Sequence, residues 1–299
     1  MIHIGTCSWT EKTLIKSGEF YPKEVKSAED RLRYYAASFD TVEVDSSYYA
    51  IPDVKNAMVW AERTPGNFIF HVKAFGALTG HGVDPKTLPA EVISALPSAD
   101  RDKKYVYIKD PELLQIIGRR FTGSLAPLTG AGKLGVVVFQ FPPWLHYTEG
   151  NLDHIVGRVS LINGLRAAVE FRHGSWLSPG NRETVMDFLR GHGITYVPAD
   201  EPQYGNLATV PFFPMASTDT AYFRFHGRNK ENWLKKGLET SLRYDYLYSE
   251  EELKEFIPPL LAANEKISVV FAMFNNCHGA SAIRNARRMQ EIIRAKGKG

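Results

Sequence analysis

Glu170, Arg172 and His173 fall within the stretch AAVEFRHGSW (167–176), at the end of a run that otherwise reads as buried strand. A carboxylate, a guanidinium and an imidazole so close together suit acid/base work or the holding of an anion. In a strand, alternate residues share a face, so Glu170 and Arg172 point opposite to Val169 and Phe171. The same phase recurs elsewhere in the chain. Glu43 and Asp45 oppose Val42 and Val44. His71 and Lys73 oppose Phe68, Phe70 and Val72. Tyr222, Arg224 and His226 oppose Phe223 and Phe225. Gln140 shares its face with Val136 and Val138, and Asp200 closes a further apolar run.

These residues sort by chemistry. Glu43, Glu170, Asp200 and His226 are the candidate catalytic groups, because paired carboxylates and a histidine can divide the roles of acid and base. Lys73, Arg172 and Arg224 would hold a phosphate or carboxylate. Gln140, His173, Asn275 and Asn276 would orient the substrate, and Trp9, Tyr48, Trp176 and Tyr244 would stack against it. The four catalytic candidates are also of types that ligate a divalent metal. No His-x-His or clustered spacing supports that, and the expectation is no cofactor. The chain contains no Gly-x-Ser-x-Gly elbow, no Gly-x-Gly-x-x-Gly and no phosphate-loop lysine motif.

Eight strands must carry these residues, expected at 2–6, 41–44, 68–73, 134–141, 166–171, 195–198, 221–225 and 267–274. Helical patterns separate most of them. The segment 27–39 begins with Ser27 as N-cap and spaces Leu32, Tyr35, Ala36 and Phe39 along one helical face. Asp110 and Pro111 open another helix, with proline at the first helical position. Further helices are expected at 54–63, 152–161, 181–192, 249–264 and 280–296, the fourth of these five opened by a Ser249–Glu252 capping box. Alternation of strand and helix argues for a parallel sheet, and eight units argue for a TIM (β/α)8 barrel. Such a barrel takes roughly 250 residues, which leaves about 50 for insertions. The surplus falls at 76–132, read as a helical insertion between strands three and four of a single domain spanning 1–299. After Asp200 the prolines at 202, 211 and 214 leave no helix signal, so one barrel helix is expected to be missing or replaced there. In a barrel the outer face meets helices and is apolar, so the polar set faces inward, late in each strand, at the C-terminal mouth where barrel enzymes work.

Composition agrees with a globular enzyme-sized chain. Its 299 residues are 44% hydrophobic and 23% charged, with a net charge of +3. That charge is too small for a nucleic-acid-binding tail or a polybasic membrane anchor. The two cysteines, Cys7 and Cys277, make neither a disulfide framework nor a zinc spacing. The sequence enters a strand at once and holds no apolar run of membrane-spanning length, so a soluble cytoplasmic protein without membrane partners is expected. Closure of the sheet would bring Cys7 and Cys277 to the same mouth.

Several blocks carry a family resemblance: GTCSW at 5–9, FYP at 20–22, YYAASFDTVEVDSSYYAIP at 34–52, FIFHVKAF around Lys73, FQFPP at 139–143, EFRHGSW at 170–176, FRFHG at 223–227 and FNNCHGASAIRNA at 274–286. In this order and over nearly the whole chain, they resemble the YecE-like family, known as domain of unknown function 72. The resemblance implies a TIM barrel and assigns no activity. Many members have Ser-Gly before the tryptophan and Asn after the strand-two glutamate; here Cys7-Ser8 and Asp45 stand instead.

The residues point to a hydrolase-like barrel enzyme acting on an anionic substrate, phosphorylated or nucleotide-like. The rival is a non-catalytic binder of nucleic acid or a nucleotide, using the same cations and stacking aromatics.

Overall fold

The computed structural model describes residues 1–162 and 164–296. Nine parallel segments form one curled sheet: β1 (Ile2–Thr6), β2 (Thr41–Val44), β3 (Ile69–Lys73), β4 (Leu134–Gln140), β5 (Ala167–Glu170), β6 (Thr195–Tyr196), β7 (Ala199–Asp200), β8 (Thr220–Phe225) and β9 (Val269–Phe274). Their order is β6-β5-β4-β3-β2-β1-β9-β8-β7. The first and last strands of the chain are therefore neighbours, in register from Ile2 opposite Val270 to Thr6 opposite Phe274.

The two ends of this order, β6 and β7, are consecutive in the chain, with Val197 and Pro198 between them. The Val197 N–H donates to Val169 O, and the Arg224 N–H donates to Pro198 O. One stretch of chain thus pairs with β5 through its first half and with β8 through its second, which joins the sheet end to end. Proline has no N–H to give to a ladder, and the interruption falls at Pro198. The sequence pattern predicts one strand there; the structure has two short ones.

The helices that cover the sheet start where local chemistry demands. They are α1 (Ala28–Ser38), α2 (Val54–Glu62), α3 (Pro111–Ser124), α4 (Glu149–Val159), α5 (Arg182–Gly191), α6 (Glu250–Lys266) and α7 (Ser281–Lys296). Ser27 with Asp30, and Ser249 with Glu252, form reciprocal capping boxes at α1 and α6. Asp110 accepts from the Glu112 and Leu113 N–H groups at the start of α3, with Pro111 at the first position. Residues 201–219 contain no helix, as the prolines there predict. Between β3 and β4 the chain makes short helices at Ala90–Ala95, Ser98–Arg101 and Ala126–Gly130 besides α3, pinned by an antiparallel bridge between Val83 and Val106. The short helices Lys12–Ser17, Lys230–Trp233 and Thr240–Arg243 have no counterpart in the sequence pattern, being too brief to show a helical period.

The alternation of side chains separates two apolar clusters. A large one lies between sheet and helices and includes Val42, Val44, Phe70, Val72, Val169, Phe171, Phe223 and Phe225. A small one is enclosed by the sheet: Cys7, Val136, Val138, Ala168, Val197, Tyr222, Phe271 and Met273. Partly buried Cys277 packs against the second, beside Cys7, as the adjacency of β1 and β9 requires. The small cluster is the floor on which the polar residues stand.

Close backbone approach fixes one glycine. A Cβ on Gly5 would lie 2.3 Å from Thr41 O on the neighbouring strand, and backbone cannot step aside as a side chain can. Gly5→Ala should lower stability by about 1–3 kcal/mol in urea unfolding, whereas Gly123→Ala, inside α3 with nothing near the added carbon, should be neutral or stabilising by up to about 1 kcal/mol.

Candidate active site at the C-terminal ends of the strands

Above the inner cluster, β2, β5 and β8 each contribute a fully buried charge. The Arg224 Nη2 donates to Glu43 at 2.7 Å, while Nη1 donates to Glu170 and lies 3.3 Å from Gln140 Oε1. Glu43, Glu170 and Arg224 have no solvent exposure. The Tyr222 hydroxyl donates to the other Glu43 oxygen at 2.8 Å. Arg224 also reaches Cys7 Sγ at 3.8 Å.

A second tier is built on Glu170. Arg172 pairs with it through Nε, and with Glu201 at 2.8 Å through Nη1. The Arg172 Nη2 lies 3.1 Å from Gln140 Oε1 and 3.5 Å from the Tyr244 hydroxyl. His226 Nε2 is 3.0 Å from Glu170 Oε1, and Asn275 Nδ2 is 2.9 Å from His226 Nδ1. With the Asn275 amide donating to Nδ1, the ring proton sits on Nε2 and points at Glu170. At one side Lys73 pairs with Asp45 at 3.1 Å and lies 4.7 Å above the Tyr48 ring. The indole of Trp233 lies 5.4 Å from the Arg172 guanidinium.

Electrostatics divides these groups. Burial pushes the Glu170 carboxyl up, but Arg172, Arg224 and His226 outweigh it and hold Glu170 well below the usual carboxylate range. Burial raises Glu43 in spite of Arg224, with Asp45 adding repulsion. Burial and the Arg172 charge lower His226 to about 3, so its imidazole is neutral. Glu201 is raised to about 7, because burial outweighs Arg172 and the Val210 N–H that also binds it. Asp45 holds Lys73 above its ordinary value against the effect of burial.

Glu43, Lys73, Gln140, Glu170, Arg172, Arg224, His226, Tyr244 and Asn275 thus meet at one end of the sheet, with Tyr48 beside Lys73. Others of the expected set lie elsewhere. Trp9 packs edge-on to Trp60 and Phe70 in the outer core, and its carbonyl accepts from the Tyr21 hydroxyl. Trp176 stacks on Phe171 at 4.4 Å and donates to Leu145 O. His173 caps the turn that follows it through Ser175 and stacks on His146. Asn276 ties Tyr246 O to Asn285. The rings of Trp9, Trp176 and His173 and the Asn276 Nδ2 are thus engaged by the surrounding loops and core.

Asp200 is also displaced from the cluster. Arg228 clasps both its oxygens at 3.0–3.2 Å and the Tyr248 hydroxyl donates to it at 2.6 Å. The carboxylate that reaches Arg172 is the next one, Glu201. Strict alternation fails across Pro198, since Tyr196 and Ala199, three residues apart, both pack in the outer core. Alternation counted from inward Val197 puts position 201 on the inner face and position 200 on the outer one; what singles out Asp200 in the sequence is only that it closes the apolar run. Glu201 carried no other sequence signal. The metal-type residues do not converge, because Asp200 faces Arg228; among the described residues no three His, Cys, Asp or Glu side chains are grouped as metal ligands.

A parallel sheet curled on itself, covered by helices and crowned by charges at the C-terminal ends of its strands, defines a TIM-barrel-like α/β protein. The chain belongs to the family described as protein of unknown function DUF72, whose model matches residues 3–299. It is 30% identical over 298 residues to UPF0759 protein YunF of Bacillus subtilis (strain 168), covering 98% of this chain and 95% of that protein. A crystal structure of a DUF72 family protein from Thermotoga maritima MSB8 is similar with a TM-score of 0.77 and 32% identity, covering 98% of this chain and 99% of that one. One from Enterococcus faecalis V583 has a TM-score of 0.78 and 26% identity, covering 98% and 96%. The YecE-like blocks of the sequence therefore mark true membership.

Two outcomes follow from the charge layer. Arg224→Met strands two buried carboxylates and should lower stability by about 3–5 kcal/mol, read by urea denaturation. Glu201 works in the opposite sense to an ordinary paired acid. Its folded value near 7 exceeds the unfolded one, so the folded state holds the extra proton and stability falls as pH rises from about 4.5 to about 7. Glu201→Gln removes that slope. Its stability relative to the wild type should rise across this window in pH-resolved unfolding, and a parallel pair of curves would refute the assignment.

Proposed function

We propose that the nine segments are the eight strands of a TIM (β/α)8 barrel in a single domain, with 76–132 as a helical insertion between strands three and four. In this reading the chain is a hydrolase-like enzyme whose mouth takes a small anionic substrate, phosphorylated or nucleotide-like.

The observation that carries the proposal is the position of Arg172 and Lys73. Each retains 8% exposure at the lip, directly above a layer whose charges are already paired. Arg224, fully buried between two glutamates, serves as internal counter-charge instead of clamping substrate. Arg172 still directs Nη2 toward Gln140 and the half-exposed Tyr244, contacts that an incoming oxyanion would replace with stronger charge-assisted bonds.

Charge balance makes the binding of an anion there depend on Glu201. Glu43, Asp45 and Glu170 offset Lys73, Arg172 and Arg224, so the remaining acid, Glu201, decides whether the lip is neutral or negative. Protonating Glu201 frees half of the Arg172 pairing for substrate and leaves a proton where a leaving group would need one. A carboxyl poised near 7 suits general acid/base work. Glu170 and Asn275 hold His226 in one orientation, which makes His226 a positioning residue, and Glu43 acts through Arg224.

The rival reading is favoured by one feature: every carboxylate of the inner layer is already paired, and a non-catalytic binder of nucleotide or nucleic acid needs no free base. Lys73→Met should weaken binding of small phosphorylated metabolites at least about tenfold in thermal-shift titrations. The cost to folding should be about 1–3 kcal/mol, less than for Arg224→Met, since the Asp45 side chain is 33% exposed. Release of phosphate from a bound phosphoester supports the enzyme. Binding that falls steeply with salt and yields no product supports the binder.

A further inference from the structure

Beyond the mouth, the loops after β3 and β4, the segment 107–109 that leads into α3, and α4 enclose a cleft of about 360 Å3. Its walls include Tyr107, Lys109, Trp144, His154 and Arg158, and no Asp or Glu occurs among the described lining residues. A neighbouring cleft of about 290 Å3 shares Lys109, His154 and Arg158. Tyr107 and Trp144 are each 60% exposed. Single exposed aromatics are ordinary on protein surfaces. Two in one cleft with unopposed cations are a different matter.

None of Lys109, His154 and Arg158 forms an ion pair with a described residue, and the lining offers them no carboxylate. Arg158 uses Nη1 on Ala77 O at 3.2 Å. Burial, and then the Arg158 charge, lowers His154, and burial lowers Arg158 itself, so the charged forms are disfavoured there and a bound anion would favour them. Trp144 lies 5.5 Å from His81, and His81 lies 5.2 Å from Tyr48, which covers Lys73. The cleft therefore borders the lip of the mouth through His81 while sharing none of its residues.

We propose that this cleft is a second binding site, for a planar ring bearing a phosphate, of the nucleoside monophosphate class. The ring stacks on Trp144 or Tyr107, a contact worth about 1–3 kcal/mol per base. Lys109 and Arg158 take the phosphate through charge-assisted bonds. The volume lies at the small end of the roughly 300–1,000 Å3 of small-molecule sites, enough for one nucleotide and too little for a strand track. The inference goes beyond the mouth reading and needs no turnover.

Adenosine 5′-monophosphate is titrated against the full chain, followed by tryptophan fluorescence and calorimetry. Saturable quenching is expected, with adenosine and inorganic phosphate each binding about tenfold more weakly. Trp144→Ala and Lys109→Glu should each weaken it about tenfold at unchanged melting temperature, both side chains being exposed, and Lys73→Met, which acts on the mouth, should leave the part of the binding that depends on Trp144 and Lys109 intact. Three results would overturn the proposal: no saturable binding at millimolar nucleotide; binding untouched by both cleft variants; or loss with Lys73→Met alone, which would place the nucleotide at the mouth and leave the mouth reading standing. An oligothymidylate that binds more than about tenfold tighter than the mononucleotide, with a steep salt slope, would overturn it in favour of a strand-binding surface.

Discussion

The ion triad of Glu43, Arg224 and Glu170 is the constraint on which the rest of the site depends. Three charges from three strands are removed from water, and none is tolerable alone, because a buried unpaired charge costs several kcal/mol. Arg224 meets this by sending one Nη to each glutamate. The strands must then curve enough to bring β2 and β5 within reach of a single guanidinium on β8. Sheet curvature and charge pairing are two sides of one requirement. The apolar floor of Cys7, Val138, Tyr222 and Met273 excludes water from below and keeps the triad in a low dielectric.

From that layer the site is assembled by successive commitments. Glu170 is shared among Arg224, Arg172 and His226, which fixes its ionised state. Arg172, drawn down by Glu170, meets Glu201, Gln140 and Tyr244 at its outer end. The groups that remain adjustable are therefore at the lip. Fully buried residues set the geometry, and partly exposed ones keep access to solvent, a division that would suit a site needing both rigidity and access.

The proline at 198 has a consequence out of proportion to its size. By interrupting the sixth strand it lets one stretch of chain pair with β5 on one side and β8 on the other, and the helix that would follow is replaced by the 201–219 loop. That loop supplies the Val210 N–H to Glu201 and the Leu207 carbonyl to the Gly174 N–H, tying the ends of β5 and β7 together. A break in regular structure thus places the acid that lies beside Arg172.

Strand positions, the inward phase of Glu43, Lys73, Gln140, Glu170, Arg172, Arg224 and His226, and the capped starts of α1, α3 and α6 are local properties, and alternation, caps and prolines make them legible from the sequence by itself. What a residue does once inward is not local. Whether Arg224 faces substrate or two glutamates depends on distances across the sheet, between residues as far apart in the chain as 43 and 224. The same is true of Trp9 and Trp176, whose rings could equally have stacked a ligand but found Trp60, Phe70 and Phe171 in the outer core. Asp200 and Glu201 are adjacent in sequence and chemically alike; only the path of the chain past Pro198 gave one to Arg228 and the other to Arg172. Periodicity decided which residues reach the mouth, and tertiary packing decided which of them are already spoken for there.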